Sequence, residues 1–489
     1  MKTSRLTTLL LLAVLATGCN VSETPSDLLR APSQGNSDGN ITEIVKPFLP
    51  ANSHLTVPVN SASGSAIQLQ DLDQDGQDEI IAFYKTDKTD YEIKTVVLTQ
   101  KQNKWTLVET IAGVGSELAD VQFADVTGDG KADLLLGFSG GEALSNELQV
   151  YSMNQEKLTE ITKQPYDYLF VGDITGEGQT EIALFQNTFA SDTQPGSSVQ
   201  LLRLGGGQLQ VLSNQSIDGT VIQVHFGKVS KTGTGLYVDV AVGAHSSYTA
   251  LLAWEKGLFT DILSSEDYHR TELAESKDVV LTPLKPTQAR VLGENNMAIK
   301  DYPLYSKDIN ADGINEVGFL IAPAGMESFA PLATPFISKY YQWDGQSKLI
   351  FIQEQFDRWG FNFHIPKNWA GLYTLETPVE SPMPWENLQF SYRDAETGKT
   401  APLLSLRLLP KKDWAAAEIK LQAEQASYKM LYEVPNAEDP AASDVIVAVL
   451  PSASETGKLS GTALQEYQQR KLTMDEVVKL AGTPSKDRE

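Results

Sequence analysis

The sequence predicts a mainly β protein, a β-propeller followed by a small α+β domain. Three observations predict it: an acidic loop recurs along the chain, each copy sits between short apolar runs, and a hairpin pattern follows each copy. A supersecondary unit recurring about every 50 residues marks a repeat architecture.

The N-terminus reads "MKTSRLTTLLLLAVLATGCN", with Lys2 and Arg5 ahead of an apolar run from Leu6 to Ala16. That run is shorter than the ~20 residues a membrane-spanning helix needs, so residues 1–19 read as a secretory leader. It ends at Cys19, the single cysteine. "LATGC" resembles a bacterial lipobox, with Ala16 where the usual box has Leu, and the resemblance implies lipid on Cys19. A lone exported cysteine makes no internal disulfide. Residues 20–40, rich in Ser, Pro, Gly and Asn, read as a flexible tether. Asn20 is not the Asp that retains some lipoproteins in an inner membrane. The expected location is the outer face of the cell membrane, held by lipid.

The formal net charge is -24, and loss of Lys2 and Arg5 with the leader makes it more negative. Such a surface repels nucleic acid and anionic lipid heads and attracts divalent cations. No nucleic-acid partner is expected, membrane contact is left to the lipid, and the chain is expected to be a monomer.

Residues 41–355 carry the repeat. Its acidic copies are "DLDQDGQDEI" from Asp71, "DVTGDGKADL" from Asp125, "DITGEGQTEI" from Asp173 and "DINADGINEV" from Asp308. A degraded copy, "KVSKTGTGLYVDVAVG", starts at Lys228. Short alternating runs precede them ("AIQLQ", "ADVQFA", "YLFVG", "VIQVHFG", "YPLYS"), and apolar runs such as "IIAFY" and "LLLGF" follow. Then come two strands around a polar turn, as in "KTVVLTQKQNKWTLVETI" and "SKYYQWDGQSKLIFIQ". A four-stranded sheet cannot bury both faces alone, so the units must stack, and radial stacking gives a propeller. Five hairpins favour five blades. Six or seven stay open because "VVLTPLKPTQARVLGENNMAIKD" could be a worn blade and "ITEIVKPFLPANSHLTVPV" could add closing strands.

These loops and hairpins in register resemble the FG-GAP/VCBS repeat proteins, the propeller type also seen at the head of integrin alpha chains. The first copy also reads directly as a metal loop. Asp71, Asp73 and Asp75 stand at positions 1, 3 and 5, Gly76 allows the turn, Gln77 offers its carbonyl and Glu79 stands at position 9. Calcium takes six to eight oxygens at ~2.3–2.6 Å, whereas magnesium demands a stricter octahedron. Zinc would prefer nitrogen or sulfur. Carried over, the resemblance implies Asp125, Thr127, Asp129, the Lys131 carbonyl and Asp133 in the second copy. It implies Asp173, Thr175, Glu177, the Gln179 carbonyl and Glu181 in the third, where Glu177 is longer than the usual Asp. In the last acidic copy it implies Asp308, Asn310, Asp312, the Ile314 carbonyl and Glu316. Lys228, Ser230 and Thr232 hold the ligand positions of the degraded copy, and a lysine there argues against metal. The expectation is three or four structural calcium sites. The plainer alternative is an acidic, solvated β-turn.

Other motifs carry less. "GFSGG" at Gly137 matches G-x-S-x-G, yet strand pattern rather than helix follows it, so Ser139 reads as part of a blade turn. None of the five histidines has a paired metal spacing. Trp105, Trp254 and Trp343 recur near hairpins and read as blade packing.

Residues 356–489 lose the repeat. "RWGFNFHIPKNWAGLYTLE" reads as strand, turn and strand, and Phe361, Phe363, Trp369 and Tyr373 alternate as core. "FNFHIPKNWAGLYTLE" resembles a domain of lipoproteins from Gram-positive bacilli, which implies such a host and no particular activity. "LQFSYRDAETGKTAPLLSLRLLP" reads as a hairpin and "ASDVIVAVLP" as a strand. "KDWAAAEIKLQAEQAS" reads as a helix with Asp413 as N-cap, and capping boxes stand at Thr462 and Thr473. The function expected is a binding, adhesion or scaffolding module for a protein, cell-wall or glycan ligand. The alternatives are an exported hydrolase, with its site in the C-terminal domain or on the propeller face, and an envelope assembly factor.

Overall fold

The computed structural model describes residues 36–60, 64–86, 93–113, 115–139, 145–188, 196–205, 208–229, 233–243, 245–264, 279–280, 296–331, 334–346, 348–376, 387–436, 439 and 442–482. The expected leader, Cys19 and most of the expected tether lie outside them. Among the described residues no helix is long and apolar enough to cross a membrane. The chain divides into two compact units. One runs through Val121 and adds Leu136–Glu142 and Met153–Thr159; the other takes Gln122–Leu135, Ala143–Ser152 and everything from Glu160 on.

Among the described residues the first unit begins with a helix, Asn36–Val45, and a 3-10 turn, Lys46–Phe48. Of the segment "ITEIVKPFLPANSHLTVPV", "ITEIVKPF" is therefore helical and only Ser53–Leu55 forms a strand, in the first sheet, and residues 36–40 begin the helix instead of ending a tether. Ile41, Ile44, Val45 and Phe48 recur at helical spacing. They pack on Ile80, Ala82, Tyr84, Val96 and Leu98 of the first sheet. In that sheet Ser53–Leu55 and Ile67–Gln70 pair in turn with one edge of Glu79–Thr86, so the outermost strand is broken in two. Ile93–Lys101 and Lys104–Ala112 complete it. Their turn, Gln102 and Asn103, has φ of 49° and 60°. Positive φ at both central residues is the I′ geometry that suits strand twist.

The second sheet has Glu117–Ala124, Asp133–Ser139, Asn146–Asn154 and Lys157–Tyr166 in that order. The third repeats the meander with Tyr168–Gly172, Glu181–Thr188, Gly196–Gly205 and Gln208–Asp218. The fourth has Thr220–Lys228, Thr234–Gly243, Ser246–Glu255 and Leu258–Asp261, with Ile299–Lys300 added beside Ser246–Glu255. In the second unit these sheets bury both faces. Alternate residues of a strand point to opposite sides. Ile182 and Leu184 join Leu135, Leu148 and Val150 of the second sheet, while Ala183 and Phe185 join Leu236, Val238 and Val240 of the fourth. Full burial of such side chains contributes about 1.5–3 kcal/mol each, which explains the continuous apolar run "IALF" in place of alternation.

The fifth sheet has Val317–Ile321, Ile337–Trp343, Lys348–Arg358, Phe361–Ile365 and, beside the last of these, Ala481–Gly482. Its expected first strand, "YPLYS", forms no strand; only Lys307 bridges to Glu316. The worn-blade segment makes no sheet of its own among the described residues: Val279–Val280 joins the fifth sheet and Ile299–Lys300 the fourth. Strand Lys348–Arg358 runs across the expected boundary at 355/356, and Phe361–Ile365 extends the same sheet.

The sixth sheet is ordered Tyr373–Glu376, Asn387–Arg393, Thr400–Pro410, Asp444–Leu450 and Ser427–Val434. Strand Ser427–Val434 has no counterpart in the sequence expectations. Phe361, Phe363, Trp369 and Tyr373 are buried in one core with Phe390, Leu404, Tyr467 and Val477. Helix Trp414–Ala423 follows a 3-10 turn, so Asp413 is already helical and its side chain caps nothing. Helix Gly461–Arg470 starts before Thr462, which removes the expected box there. The box at Thr473 forms with Glu476.

Candidate metal centres in the acidic loops

One hydrogen-bond scheme recurs in the four acidic loops. The first-position carboxylate accepts from the backbone N–H of the sixth-position glycine: Asp71 from Gly76 (3.0 Å), Asp125 from Gly130 (2.9 Å), Asp173 from Gly178 (3.0 Å) and Asp308 from Gly313 (2.8 Å). Those glycines have φ between 78° and 88°, the left-handed region open to glycine without steric penalty. The fourth position is left-handed too, in Gln74, Gly128, Gly176 and Ala311. The fifth-position carboxylate accepts from the seventh-position N–H in Asp75, Asp129 and Asp312.

The ninth-position acid is buried in every acidic copy: Glu79, Asp133, Glu181 and Glu316 are each at most 1% exposed. Each accepts from the second-position N–H, of Leu72, Val126, Ile174 and Ile309. This carboxylate therefore staples the loop to the strand that follows it. Burial pushes Glu79 and Asp133 above their usual values, against the hydrogen bonds they accept. Burial, with the Asp312 and Asp308 charges adding, pushes Glu316 up to about 7.

The loops differ in what they bring together. Oxygens of Asp71, Asp73 and Glu79 converge within 4.8 Å of one another, and so do those of Asp308, Asp312 and Glu316. Asp71 Oδ1 is buried and accepts no hydrogen bond. An orphaned buried oxygen among hard carboxylate donors fits calcium, which would supply the missing partner. Asp75 turns instead to Gln77, whose N–H and side-chain amide it accepts. In the last acidic copy the Gln342 amide donates to both Asp312 oxygens (3.2 and 2.9 Å) and to Glu316 (3.0 Å), and Asn310 donates to the same two acids. Against the upward push of burial, these bonds, the Ile314 N–H and the nearby Lys228 charge hold Asp312 below its usual value.

The second and third copies do not converge in this way. Asp125 is spent on the N–H groups of Gly128, Asp129 and Gly130, and Asp133 on those of Val126 and Thr127 together with the Thr127 hydroxyl. In the third copy the Arg203 guanidinium lies among Thr175, Glu177 and Glu181. A metal ion does not fit where that cation already stands. Nothing in the repeat pattern marked Arg203, which comes from the hairpin strand; the signal was an arginine inside the apolar run "LLRLGGG" of the one copy that has Glu at position five. Lys228 is exposed, and its charge faces Asp312 of the last copy. Ser230 and Thr232 lie outside the described residues.

A buried network, also absent from the sequence expectations, holds the segment that enters the last acidic loop. Asp239 accepts from Lys300 Nζ (3.3 Å), the Ser306 N–H (2.7 Å), the Ser306 hydroxyl (3.0 Å) and Thr249. Lys300 also donates to the Leu304 carbonyl (2.7 Å). Among the other candidates, Ser139 ends strand Asp133–Ser139, and the next described strand is Asn146–Asn154. Trp105, Trp254 and Trp343 pack in blade cores. His54 and His225 are exposed, His245 meets Tyr302 edge-on, and His269 lies outside the described residues.

No curated protein matches the chain. Among solved structures, similarity extends to a protein from Lactobacillus plantarum, at 12% identity over 69% of this chain and 83% of that one, with a TM-score of 0.25. It extends also to the exotype rhamnogalacturonan lyase YesX (12% identity, 72% and 75% coverage, TM-score 0.24) and to a rhamnogalacturonan lyase of Bacillus licheniformis (11%, 72% and 75%, 0.24). The family comparison is more specific: residues 71–136, from the first acidic loop into the second sheet, match the FG-GAP-like repeat, consistent with an FG-GAP/VCBS repeat β-propeller.

Proposed function

We propose that this chain is a calcium-stiffened, lipid-anchored β-propeller on the outer face of a Gram-positive cell membrane. It binds a protein, cell-wall or glycan ligand on surfaces outside its acidic loops. The carrying observation is that one loop is built four times, each with its ninth-position acid buried and bonded to the loop backbone. Repetition of that kind serves a scaffold, whereas a catalytic site is normally built once. The loop carboxylates would hold an ion whose positive charge offsets the repulsion among them. Asp71, Asp73 and Glu79 hold one ion; Asp308, Asp312 and Glu316 hold another. Two sites therefore replace the three or four expected from the repeat.

The test is calorimetric calcium titration of the chain from Asn20 onward, with thermal melts in calcium and in chelator. About two equivalents, each lost separately in Asp71→Asn and Asp308→Asn, together with a calcium-dependent rise in melting temperature, support the reading. No heat and no shift would reduce the loops to solvated turns.

A further inference from the structure

We infer that Arg203 is the resident cation of the third acidic loop, so that this blade keeps its shape without a metal ion. The inference uses the calcium reading of the first and last acidic loops as its contrast. Arg203 Nη2 donates to Glu181 Oε1 (2.6 Å), Glu177 Oε2 (2.8 Å) and Thr175 Oγ1 (3.1 Å), and Nε donates to Glu181 Oε1 (3.0 Å). One guanidinium thus touches positions three, five and nine, three of the four side chains from which an ion would draw oxygens. Only 19% of its side chain is exposed, and Glu181 is fully buried. Guanidinium stays charged at any physiological pH and presents its donors in a fixed fork.

Strand register shows that the replacement is positional. Arg203 follows Leu202, which pairs with Ile182, the residue after Glu181. The same position in the first sheet is Thr99, which follows the Ile80 partner Leu98; in the fifth it is Gln342, which follows the Val317 partner Tyr341. Each donates to its own ninth-position acid: Thr99 to Glu79 (2.9 Å), Gln342 to Glu316 (3.0 Å) and Arg203 to Glu181. Thr99 and Gln342 are neutral and leave the carboxylate charge uncompensated; Arg203 compensates it. The exchange of Asp for Glu at position five occurs in this same copy, where the longer side chain of Glu177 reaches the guanidinium.

The experiment is calcium titration and thermal melting of the chain from Asn20 onward and of two variants. Arg203→Thr restores the residue of the first sheet. It is expected to take up one further calcium equivalent, to melt lower than the parent in chelator and to recover in calcium. Asp173→Asn is expected to leave the parent's calcium count unchanged. Loss of one equivalent in Asp173→Asn, or an Arg203→Thr variant that melts like the parent in chelator, overturns the inference. Failure of the underlying calcium reading looks different: the parent takes up no calcium, and Asp71→Asn and Asp308→Asn change nothing. In that event the chelator melt of Arg203→Thr still decides, a lower melting temperature supporting Arg203 as the loop's cation and an unchanged one refuting it.

Discussion

Lys300→Met should destabilise the segment that leads into the last acidic loop, by an amount that follows from burial. The Lys300 and Asp239 side chains are 2% and 4% exposed, and their contact is 3.3 Å. Burial holds the Lys300 amine below its usual value, against the opposing pull of Asp239. Breaking a buried pair by removing one partner costs about 3–5 kcal/mol, because the other charge stays buried. Asp239 keeps its donors from Ser306 and Thr249, so the low end, about 3 kcal/mol, is expected. Asp239→Asn combined with Lys300→Met removes both charges and leaves an oxygen for the Ser306 N–H. It should recover at least about half of the loss, within the coupling range of neighbouring residues. The assay is native-state hydrogen exchange over 296–307, which reads local opening in a chain too large for two-state unfolding. A single-variant loss below about 1 kcal/mol, or a double variant no more protected than the single, would refute the pairing argument.

Further outcomes follow from the same geometry. Ala311 holds φ of 59°; left-handed backbone costs an L-residue roughly 1–2 kcal/mol, and glycine returns roughly 0.5–1 through the unfolded chain, so Ala311→Gly should gain up to about 1 kcal/mol in a thermal melt. Gln155 and Glu156 have φ of 50° and 60°, so replacing the pair by Asn-Gly should also raise the melting temperature, with an unchanged or lower value counting against the turn assignment. Burial, with the Lys307 charge adding, holds His364 below its usual value. Its neutral form is the folded one, so its contribution is complete above the unfolded value of about 6.5 and is lost as pH falls through the folded value. His364→Gln should flatten that part of the acid limb in melts across pH 7 to 4. Cys19→Ser should abolish incorporation of labelled fatty acid and release the chain from membranes; continued labelling would refute the anchor.

The repeat was legible because it rests on local chemistry. Asp at positions one and five, glycine at six and an acid at nine each answer a backbone need that the loop itself creates, and hairpin patterns announce their own turns. The residues that distinguish the copies were hidden because strand register brings them in from elsewhere. Thr99, Arg203 and Gln342 lie 20, 22 and 26 residues beyond the acids they meet. Asp239 reaches Lys300 and Ser306 from 61 and 67 residues away, although a lone Asp between Val238 and Val240 was a sign that a partner must exist. Ile41 and Ile44 fit a strand fragment in isolation, and only packing against the first sheet makes their spacing helical. The C-terminal boundary was misplaced for a similar reason: Phe361 and Phe363 look like the start of a new pattern, yet their strand pairs with the last hairpin strand.

The differences among the copies bear on what the loop is for. Two carboxylates at 4 Å repel by about 4 kcal/mol at an effective dielectric of 20, so a turn that gathers three must find compensation. Backbone N–H groups provide part of it at positions one and five in the same way nearly throughout. At position nine the answers diverge. Glu181 meets a guanidinium, Asp133 is held by two N–H groups and the Thr127 and Ser152 hydroxyls, and Glu316 accepts from the Gln342 and Asn310 amides. Chemistry performed by these acids would require one charge state in every copy that performed it. Geometry requires only that the acid stay bonded to the second-position N–H, and all four acidic copies keep that bond, as they keep the bond from the sixth-position glycine to the first-position carboxylate. Selection acting on loop shape, with the neutralising partner free to vary, accounts for both the constancy and the divergence.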